Sequence, residues 1–324
     1  MAPSQKRKIL LTGCAGFIGS HLAERLLALG NQVTGIDNFD PFYSKELKTA
    51  NLEVLLGHAD FQFFEFNLAD KSAYSQLNGS YDVVVHLAAK AGVLPSLKDA
   101  NAYIEANITA TNHLLEWMKD NGLRKLVFAS SSSVYGNNKK IPFSENDAVS
   151  EPISPYAFTK RACELMNFSY HHLYHIDILN LRLFTVYGPR QRPDLAIHKF
   201  VKLIDEGQPL NMYGDGSTAR DYTYVADTVD GFVKAIDYIM SNDKVYEIIN
   251  LGNNNPVKLK ELVDAIYGVM GKQPQINVMP MQPGDVDITY ADITKAKAML
   301  GYSPATPLHQ GLKQFIEWYG AKKA

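Results

Sequence analysis

The sequence predicts an α/β protein of the Rossmann type, in which a doubly wound parallel sheet is followed by a smaller mixed α/β lobe. Short apolar runs rich in β-branched residues alternate with longer helical stretches over the first half of the chain. A glycine-rich turn separates the first apolar run from the first helix. Beyond about residue 180, prolines and glycines divide the chain into shorter elements, which indicates a second unit.

The predicted strands are continuous apolar runs, which are typical of parallel strands buried on both faces of a sheet. They cover residues 8–12, 32–36, 81–87 and 123–129. The intervening helices are predicted at residues 20–29, 103–121 and 156–174. Gly30 directly follows the first of these helices and suits a left-handed cap. Helical periodicity returns at 259–270 and 308–319 in the second unit.

Composition excludes several classes of protein. The chain has 324 residues, with 32 Lys and Arg against 34 Asp and Glu, so it lacks the positive field that a nucleic-acid partner requires. No apolar stretch approaches the roughly 20 residues that span a bilayer. Its two cysteines, Cys14 and Cys163, cannot build a disulfide framework or a zinc-binding Cys-x-x-Cys motif. We therefore expect a cytoplasmic protein with no metal, membrane or nucleic-acid partner.

The glycine-rich turn has the spacing Gly13-x-x-Gly16-x-x-Gly19 and opens a predicted helix directly after a predicted strand. In this context the glycines let a pyrophosphate approach backbone N–H groups at the helix N-terminus. The alternative is a tight strand-to-helix turn with no ligand. Asp37 follows the second strand, where a carboxylate can bind the adenosine ribose and repel a 2′-phosphate, and Asn38 beside it adds no positive charge. This pattern favours NAD over NADP.

These observations divide the chain into two units. Residues 1–180 form the predicted NAD-binding Rossmann domain, to which later segments can return, and residues 181–324 form a ligand-binding lobe. No Gly/Ser-rich linker separates the two, so we expect a shared interface with the ligand cleft between them.

A second group of polar residues suits proton transfer. Tyr156 and Lys160 lie four residues apart on one helix face, where an ammonium and a bound nicotinamide would both favour the phenolate. The serines at 130–133 follow a predicted strand, and ligands bind beyond the carboxyl ends of parallel strands. Alternatively, the tyrosine packs on a lysine stem at the helix surface and the serines form a flexible polar loop.

Taken in order, these features resemble the extended short-chain dehydrogenase/reductase superfamily, and further motifs resemble UDP-glucuronate 4-epimerases within it. Those motifs are His86-Leu87-Ala88-Ala89, Asn107, the segments at 184–194 and 220–225, and Met281-Gln282-Pro283-Gly284-Asp285-Val286. The similarity covers nearly the whole chain. It implies a homodimer in which the helices at 103–121 and 156–174 pair across a two-fold axis, and a nucleotide sugar bound by the second lobe.

The resemblance implies roles for particular residues. The catalytic set would be Ser131, Tyr156 and Lys160. NAD would be bound by Gly13, Gly16, Phe17, Ile18, Gly19, Asp37, Asn38, Leu68, Leu87, Ala88, Ala89 and Asn107, together with Tyr156 and Lys160. The UDP-sugar would be bound by Ser132, Ser133, Thr185, Arg192, Arg220 and Asp285, with Arg220 on the diphosphate and Asp285 on the uridine ribose. Arg192 would offer a fork suited to a carboxylate, and a surface or diphosphate-pairing arginine is the alternative.

The implied reaction begins when Tyr156 removes a proton from a sugar hydroxyl while hydride passes to NAD, which gives a 4-keto sugar. Related dehydratases and decarboxylases usually carry an acidic residue where this chain has Ser132 and Ser133. We therefore expect return of the hydride to the other face, which is epimerisation of UDP-glucuronate to UDP-galacturonate. Leu94 stands where many uronate epimerases have an arginine, so UDP-glucose or UDP-N-acetylglucosamine is an alternative substrate. A dehydratase, a decarboxylase or a non-catalytic dinucleotide sensor is a more distant alternative.

Overall fold

The computed structural model describes residues 6–77, 79–280 and 287–322. The strands are β1 (Lys8–Thr12), β2 (Gln32–Asp37), β3 (Phe61–Glu65), β4 (Val83–His86), β5 (Lys125–Ser131), β6 (Asp177–Leu183), β7 (Thr185–Tyr187), β8 (Leu210–Tyr213), β9 (Ala219–Tyr224), β10 (Tyr246–Leu251), β11 (Pro256–Lys258) and β12 (Ile276–Met279). The α-helices are α1 (Phe17–Ala28), α2 (Lys45–Leu56), α3 (Val93–Ser96), α4 (Ala100–Tyr103), α5 (Ala110–Asp120), α6 (Pro155–Tyr174), α7 (Ala196–Asp205), α8 (Val225–Ser241), α9 (Leu259–Met270), α10 (Thr294–Leu300) and α11 (Leu308–Ala321).

A seven-stranded parallel sheet in the order β3-β2-β1-β4-β5-β6-β10 forms the centre of the molecule. The strand order reverses between β1 and β4. In such open sheets the crevice at the reversal point is where ligands bind. The predicted doubly wound fold is therefore confirmed, and it directs attention to the carboxyl ends of β1 and β4.

Both faces of the sheet are buried, which explains why the strands read as continuous apolar runs. In β1, Ile9 and Leu11 pack into the core beneath α1, where Leu22 is buried. Leu10 between them points to the opposite core, which includes Leu114 of α5. Successive strand side chains alternate between faces, so a strand covered on both sides buries side chains at every position and is mostly apolar.

Later segments return to this sheet. Strand β10 pairs in parallel with β6, from Tyr246 beside Ile178 to Leu251 beside Leu183. Helix α8, which precedes β10, packs against α1, β5 and β6. The central sheet therefore contains strands that precede residue 180 in the sequence and a strand, β10, that follows it.

The smaller lobe contains a three-stranded sheet in the order β11-β9-β7 and a parallel pair of β8 and β12. Asp221 of β9 ties this lobe together from a fully buried position. Its carboxylate accepts backbone N–H bonds from Asn253 (2.7 Å), Asn254 (3.0 Å) and Ala291 (3.0 Å). Two separate chain segments are thus fixed around one side chain of β9.

The structure corrects the helix predicted at 103–121. A π-helical segment, Ile104–Thr109, separates α4 from α5. Within it, Asn107 is buried, and its side chain binds the backbone N–H and carbonyl of Lys90. Tertiary hydrogen bonding of this kind accompanies the wider turn, and sequence periodicity does not register it.

No helix among the described residues is long and apolar enough to cross a membrane.

Candidate active site

A cavity of about 480 Å³ lies at the carboxyl ends of the central strands. This volume is within the ~300–1,000 Å³ range of small-molecule sites. Most of the residues that the sequence assigned to cofactor and substrate line it. They are Gly13, Gly16, Phe17, Ile18, Gly19, Asp37, Asn38, Leu68, Leu87, Ala88, Ala89, Ser131, Ser132, Ser133, Tyr156, Lys160, Thr185 and Arg192.

The glycine turn forms one end of the cavity. Gly13 has φ +75°, and a Cβ there would lie 2.8 Å from the backbone nitrogen of Ala88. A Cβ on Gly19 would collide with the carbonyl oxygen of Gly13. Helix α1 begins at Phe17 immediately beyond, so its free N–H groups face the same space. This arrangement can hold the pyrophosphate of a dinucleotide.

We predict that Gly19→Ala weakens both the fold and cofactor binding. The new methyl group must displace backbone, and such overpacking costs about 1–3 kcal/mol or more. Urea unfolding and calorimetric titration with NAD measure the two effects. Gly268→Ala is the matched control, because a Cβ at this position of α9 meets no atom within 4 Å. Equal behaviour of the two variants would contradict the close packing of the turn.

Asp37, at the end of β2, is fixed at a neighbouring corner of the cavity. Its carboxylate accepts the backbone N–H groups of Ala15 (3.2 Å) and Phe39 (2.9 Å). Burial raises the pKa of this carboxyl, and the Lys48 ammonium opposes the shift. The side chain is thus held in one orientation at the cavity wall, as ribose binding requires.

Sequence reasoning missed two residues beside Asp37. Lys48 of α2 is buried and donates to the Asp40 carbonyl at 2.7 Å. The Tyr43 hydroxyl is buried at the cavity wall and has no hydrogen-bond partner among the described residues. A signal for Lys48 was present, since it shares the buried stripe of α2 with Leu52 and Leu55. The Tyr43 hydroxyl, the glycine turn and Asp37 together fit a dinucleotide.

Asn107 lies behind the cavity wall rather than among the lining residues. Its side chain bonds the Lys90 backbone at 2.8 and 3.0 Å and the Thr159 hydroxyl at 3.0 Å. Lys90 does line the cavity, and its ammonium pairs with Asp40 at 2.8 Å. Asn107 therefore holds the wall segment against α6 in this structure.

The N-terminal cap of α6 determines where Tyr156 and Lys160 lie along the helix. The Ser154 hydroxyl accepts the N–H of Ala157 at 3.1 Å, and Pro155 occupies the first turn. This start places Tyr156 in the first turn and Lys160 one turn later, and both line the cavity. The structure therefore brings both residues to the wall of one cavity.

A hydroxyl and a cation both affect the Tyr156 phenol. Burial raises its pKa, whereas hydrogen bonding with Ser131 and the positive charge of Arg192 lower it. Ser131 ends β5, and its oxygen accepts the Ser133 N–H at 3.1 Å, so the serine run is an ordered turn. Arg192 as a cation acting on the phenol is a feature that the sequence did not indicate.

Contacts with strand β5 of the central sheet hold the Lys160 side chain in place. It is buried, donates to the Ala129 carbonyl at 2.8 Å, and lies 4.9 Å from the centre of the Phe128 ring. Burial lowers its pKa to about 8, against the opposing effects of Cys163 and Glu164. Its ammonium is therefore present at neutral pH and is lost in mildly alkaline solution.

We predict that the turnover rate falls as pH rises through about 8, the pKa of Lys160. Above this pH Lys160 becomes neutral and no longer favours the phenolate of Tyr156. A bound nicotinamide, being positively charged, would move the loss to lower pH. The pH profile of kcat measures it. Lys160→Arg keeps its charge throughout, so any residual activity of that variant should lack the alkaline fall.

Arg192 lies at the far end of the cavity with its guanidinium already paired. Its Nε and Nη2 bind the two carboxylate oxygens of Asp194 at 2.9 and 2.8 Å, and Nη2 also approaches the Ala91 carbonyl at 3.4 Å. The Phe42 ring lies 5.1 Å from the guanidinium carbon. The edge predicted to bind a substrate carboxylate is therefore occupied, and a ligand would meet Nη1 or displace Asp194.

The remaining residues considered for substrate binding are Arg220, Asp285 and Leu94. Arg220 does not line the cavity formed by the described residues, and its Nη1 donates to the Ala219 carbonyl at 2.9 Å. Asp285 lies outside the described residues. Leu94 of α3 is 64% exposed and does not line the cavity, although the adjacent Gly92 and Val93 do.

No group of three His, Cys, Asp or Glu side chains within residues 6–77, 79–280 and 287–322 is arranged to hold a metal ion.

The sheet order, the glycine turn and the tyrosine, lysine and serine around one cavity define an extended short-chain dehydrogenase/reductase. Residues 10–315 match the family described as GDP-mannose 4,6 dehydratase, and the chain belongs to that family.

Several relatives and solved structures are similar to this chain over nearly its whole length. The UDP-glucuronate 4-epimerase of Thermodesulfobacterium geofontis is 41% identical over 312 residues, which is 95% of each chain. The crystal structure of UDP-glucuronic acid 4-epimerase from Bacillus cereus with UDP-glucuronic acid and NAD superposes with a TM-score of 0.90 at 38% identity, covering 97% of this chain and 99% of that one. UDP-glucose 4-epimerase from Thermotoga maritima with UDP-glucose has a TM-score of 0.88 at 30% identity, covering 98% and 100%.

Proposed function

We propose that this protein is an NAD-dependent UDP-sugar 4-epimerase whose substrate is UDP-glucuronate. The observation that carries the proposal is that Ser131, Tyr156 and Lys160 line the same cavity as Asp37 and the glycine turn. Relatives and structural neighbours of matching length carry this activity in their names, and one neighbour contains both NAD and UDP-glucuronic acid.

NAD, when bound, accepts hydride from C4 of the sugar and returns it. The chain's residues hold it and move the proton. The glycine turn and Asp37 hold the pyrophosphate and the adenosine ribose. Tyr156 takes the proton of the 4-hydroxyl, while Ser131 hydrogen-bonds the same oxygen and Lys160 stabilises the phenolate. After the 4-keto sugar turns over, the hydride would return to the opposite face of C4, and Tyr156 returns its proton to the 4-oxygen.

The carboxylates around the cavity support epimerisation over dehydration. Among the described lining residues, only Asp37 and Asp40 carry a carboxylate; Asp37 ends β2 and Asp40 lies three residues beyond it, beside the proposed ribose site. Ser132 and Ser133 supply hydroxyls at the end of β5 where the chemistry takes place. None of the described lining residues therefore places a carboxylate there to remove a proton from a carbon beyond C4.

A uronate brings a specific hazard, because its 4-keto form is a β-keto acid that loses carbon dioxide when the breaking bond aligns with the carbonyl. Ser132, Ser133, Thr185 and Arg192 line the sugar end of the cavity and can restrain the carboxylate away from that alignment. We propose these residues as the restraint.

Neutral sugars are the second candidate substrates. The Asp194 carboxylate already neutralises Arg192, and Leu94 supplies no further cation near Gly92. The site thus presents less net positive charge than the sequence indicated. The structure with bound UDP-glucose from Thermotoga maritima has the same fold.

Proton NMR of the purified protein with UDP-glucuronate, UDP-glucose and UDP-N-acetylglucosamine in turn decides between them. We expect inversion at C4 of UDP-glucuronate without added reductant. Inversion of a neutral sugar alone would replace the proposed substrate. A UDP-pentose as the main product would mean decarboxylation and would overturn the proposal.

We propose further that the protein is a homodimer paired through α5 and α6. Leu165 and Leu173 lie two turns apart on α6 and are 54% and 61% exposed. Exposed leucines on one stripe of a long helix favour pairing with another helix. Sedimentation should show a dimer that Leu165→Glu converts to a monomer. Val54→Glu on α2, which replaces a residue 68% exposed, should leave the dimer intact.

A further inference from the structure

A buried tyrosine lies behind the wall of the active-site cavity. Tyr103 is the last residue of α4 and is only 2% exposed. It is absent from the described cavity lining, and the proposed reaction does not use it. Its side chain nevertheless contacts two parts of the proposed active site, one through its ring and the other through its hydroxyl.

The ring of Tyr103 packs against the ring of the proposed acid–base residue. The centroids of the Tyr103 and Tyr156 rings are 6.2 Å apart and the ring planes meet at 76°, which is an edge-to-face contact. Contacts of this kind favour one relative orientation of the two rings. Because Tyr156 lies in the first turn of α6, this contact from the neighbouring α4 restricts how its phenol can turn.

The hydroxyl of Tyr103 contacts the sugar end of the cavity. It donates to the Ala91 carbonyl at 3.2 Å. The same carbonyl lies 3.4 Å from Nη2 of Arg192, and Ala91 itself lines the cavity. Burial raises the pKa of the Tyr103 phenol to about 12, so the hydroxyl remains a donor at neutral pH. The Ala91 carbonyl thus connects Tyr103 to the proposed carboxylate-binding arginine.

The backbone on each side of Tyr103 is itself fixed. Helix α4 begins at Asp99, whose carboxylate accepts a backbone N–H of the first turn at 3.0 Å. The π-helical segment begins directly after Tyr103, and its Asn107 binds the backbone N–H and carbonyl of Lys90, one residue before Ala91. Two sets of hydrogen bonds, from the Asn107 amide and from the Tyr103 hydroxyl, therefore hold this segment of the cavity wall.

We propose that Tyr103 is a positioning residue that acts at two points around the reacting sugar. Its ring fixes the orientation of the Tyr156 phenol. Its hydroxyl fixes the Ala91 carbonyl, and with it the direction in which Nη2 of Arg192 donates. The proposal rests on the proposed function, in which Tyr156 moves the proton and Arg192 restrains the carboxylate.

The two contacts predict separate effects. A base works only within hydrogen-bond reach of its proton, and an error of about 1 Å can cost about 10²-fold in rate. The ring of Tyr103 should therefore affect proton transfer with every sugar. A 4-keto uronate also keeps its carboxyl group only while that group is turned away from the alignment that releases carbon dioxide. The hydroxyl of Tyr103 should therefore affect the binding and restraint of a carboxylate.

Tyr103→Phe tests the hydroxyl alone, because it keeps the ring against Tyr156. We expect the KM for UDP-glucuronate to rise about 2–10-fold, the effect of one lost hydrogen bond, with kcat close to that of the parent protein. The affinity for UDP-glucose, measured by calorimetric titration, should stay the same. Proton NMR should also show a larger share of UDP-pentose among the products.

Tyr103→Leu tests the ring, because it removes the edge-to-face contact together with the hydroxyl. We expect kcat to fall by about 10-fold or more, since the phenol of Tyr156 is no longer held in one orientation. NAD, measured after denaturation of the protein, should stay bound. A role in stability alone would lower Tm without this division of effects between KM and kcat.

Tyr302 provides matched control variants, Tyr302→Phe and Tyr302→Leu. Its side chain is fully buried, its hydroxyl donates to the Gly252 carbonyl at 3.1 Å, and it does not line the described cavity. Both variants should lower Tm and leave KM, kcat and the product mixture unchanged in the folded protein.

Three results would overturn the proposal. One is a Tyr103→Phe protein with the KM and product mixture of the parent. Another is a folded Tyr103→Leu protein with the kcat of the parent. The third is an equal change in KM and kcat in the Tyr302 variants, because the effect would then be one of stability only. Failure of the parent protein to convert any UDP-sugar would instead reject the proposed function.

Discussion

Replacing Tyr156 with phenylalanine is expected to lower epimerase turnover by about 10²–10⁴-fold, the usual contribution of a positioned acid or base. The change removes a single oxygen that takes the proton of the 4-hydroxyl and returns it. Ser131 and Arg192 remain, but neither can replace the phenol in both proton-transfer steps of the catalytic cycle. Turnover is followed by proton NMR, and bound NAD is measured after denaturation of the protein.

Tyr267→Phe is the matched control for this prediction. Tyr267 is a buried phenol on α9 whose hydroxyl donates to the Gln275 carbonyl at 3.0 Å, and it does not line the cavity. We expect its loss to affect stability slightly and turnover little. If Tyr156→Phe kept full activity while retaining NAD, another group would have to carry the proton.

Replacing Arg192 with alanine is expected to lower kcat/KM on UDP-glucuronate by about 10–100-fold, because a hydrogen bond to a charged group contributes about 1.5–3 kcal/mol. Turnover of neutral UDP-sugars should change much less. The product mixture gives a second signal, since an unrestrained 4-keto uronate loses carbon dioxide and yields a UDP-pentose. Proton NMR resolves both products in one sample.

Arg190→Ala supplies the control, because it removes the same charge two residues away. Arg190 pairs with Glu24 of α1 at 2.6 Å and is absent from the described cavity lining. This variant should keep the parent's preference among sugars. Equal losses on uronate and neutral sugars after Arg192→Ala would reject the carboxylate role and assign the residue to general positioning.

Local sequence patterns predicted those site residues whose positions depend on a single strand end or helix face. The glycine spacing, Asp37 after β2 and the Tyr-x-x-x-Lys pair each depend on one strand end or one helix face, and all of them line the cavity. β1 and α9 begin and end at the predicted residues, because uninterrupted apolar periodicity defines them. Long-range partners do not disturb such patterns.

Features that depend on distant partners could not be predicted. Nothing near Glu164 in the sequence shows that Arg182 on another element will pair with it. Strand β3 was missed because it lies at the sheet edge and its residues are only partly buried, so it lacks a continuous apolar run. Asp194 is only two residues from Arg192, yet charge pattern alone does not say whether the pair binds itself or a ligand.

The return of β10 to the central sheet has a consequence for how the enzyme moves. The chain leaves the sheet after β6, builds β7, α7, β8 and β9, and comes back through α8 to complete the sheet edge beside β6. The smaller lobe, which also contains β11 and β12, is thus joined to the sheet after β6, before α8 and after β10, and a wide hinge opening would strain each of these connections. We expect the keto sugar to rotate within a cavity whose walls move little. The motion that epimerisation requires is then made by the substrate and not by the protein.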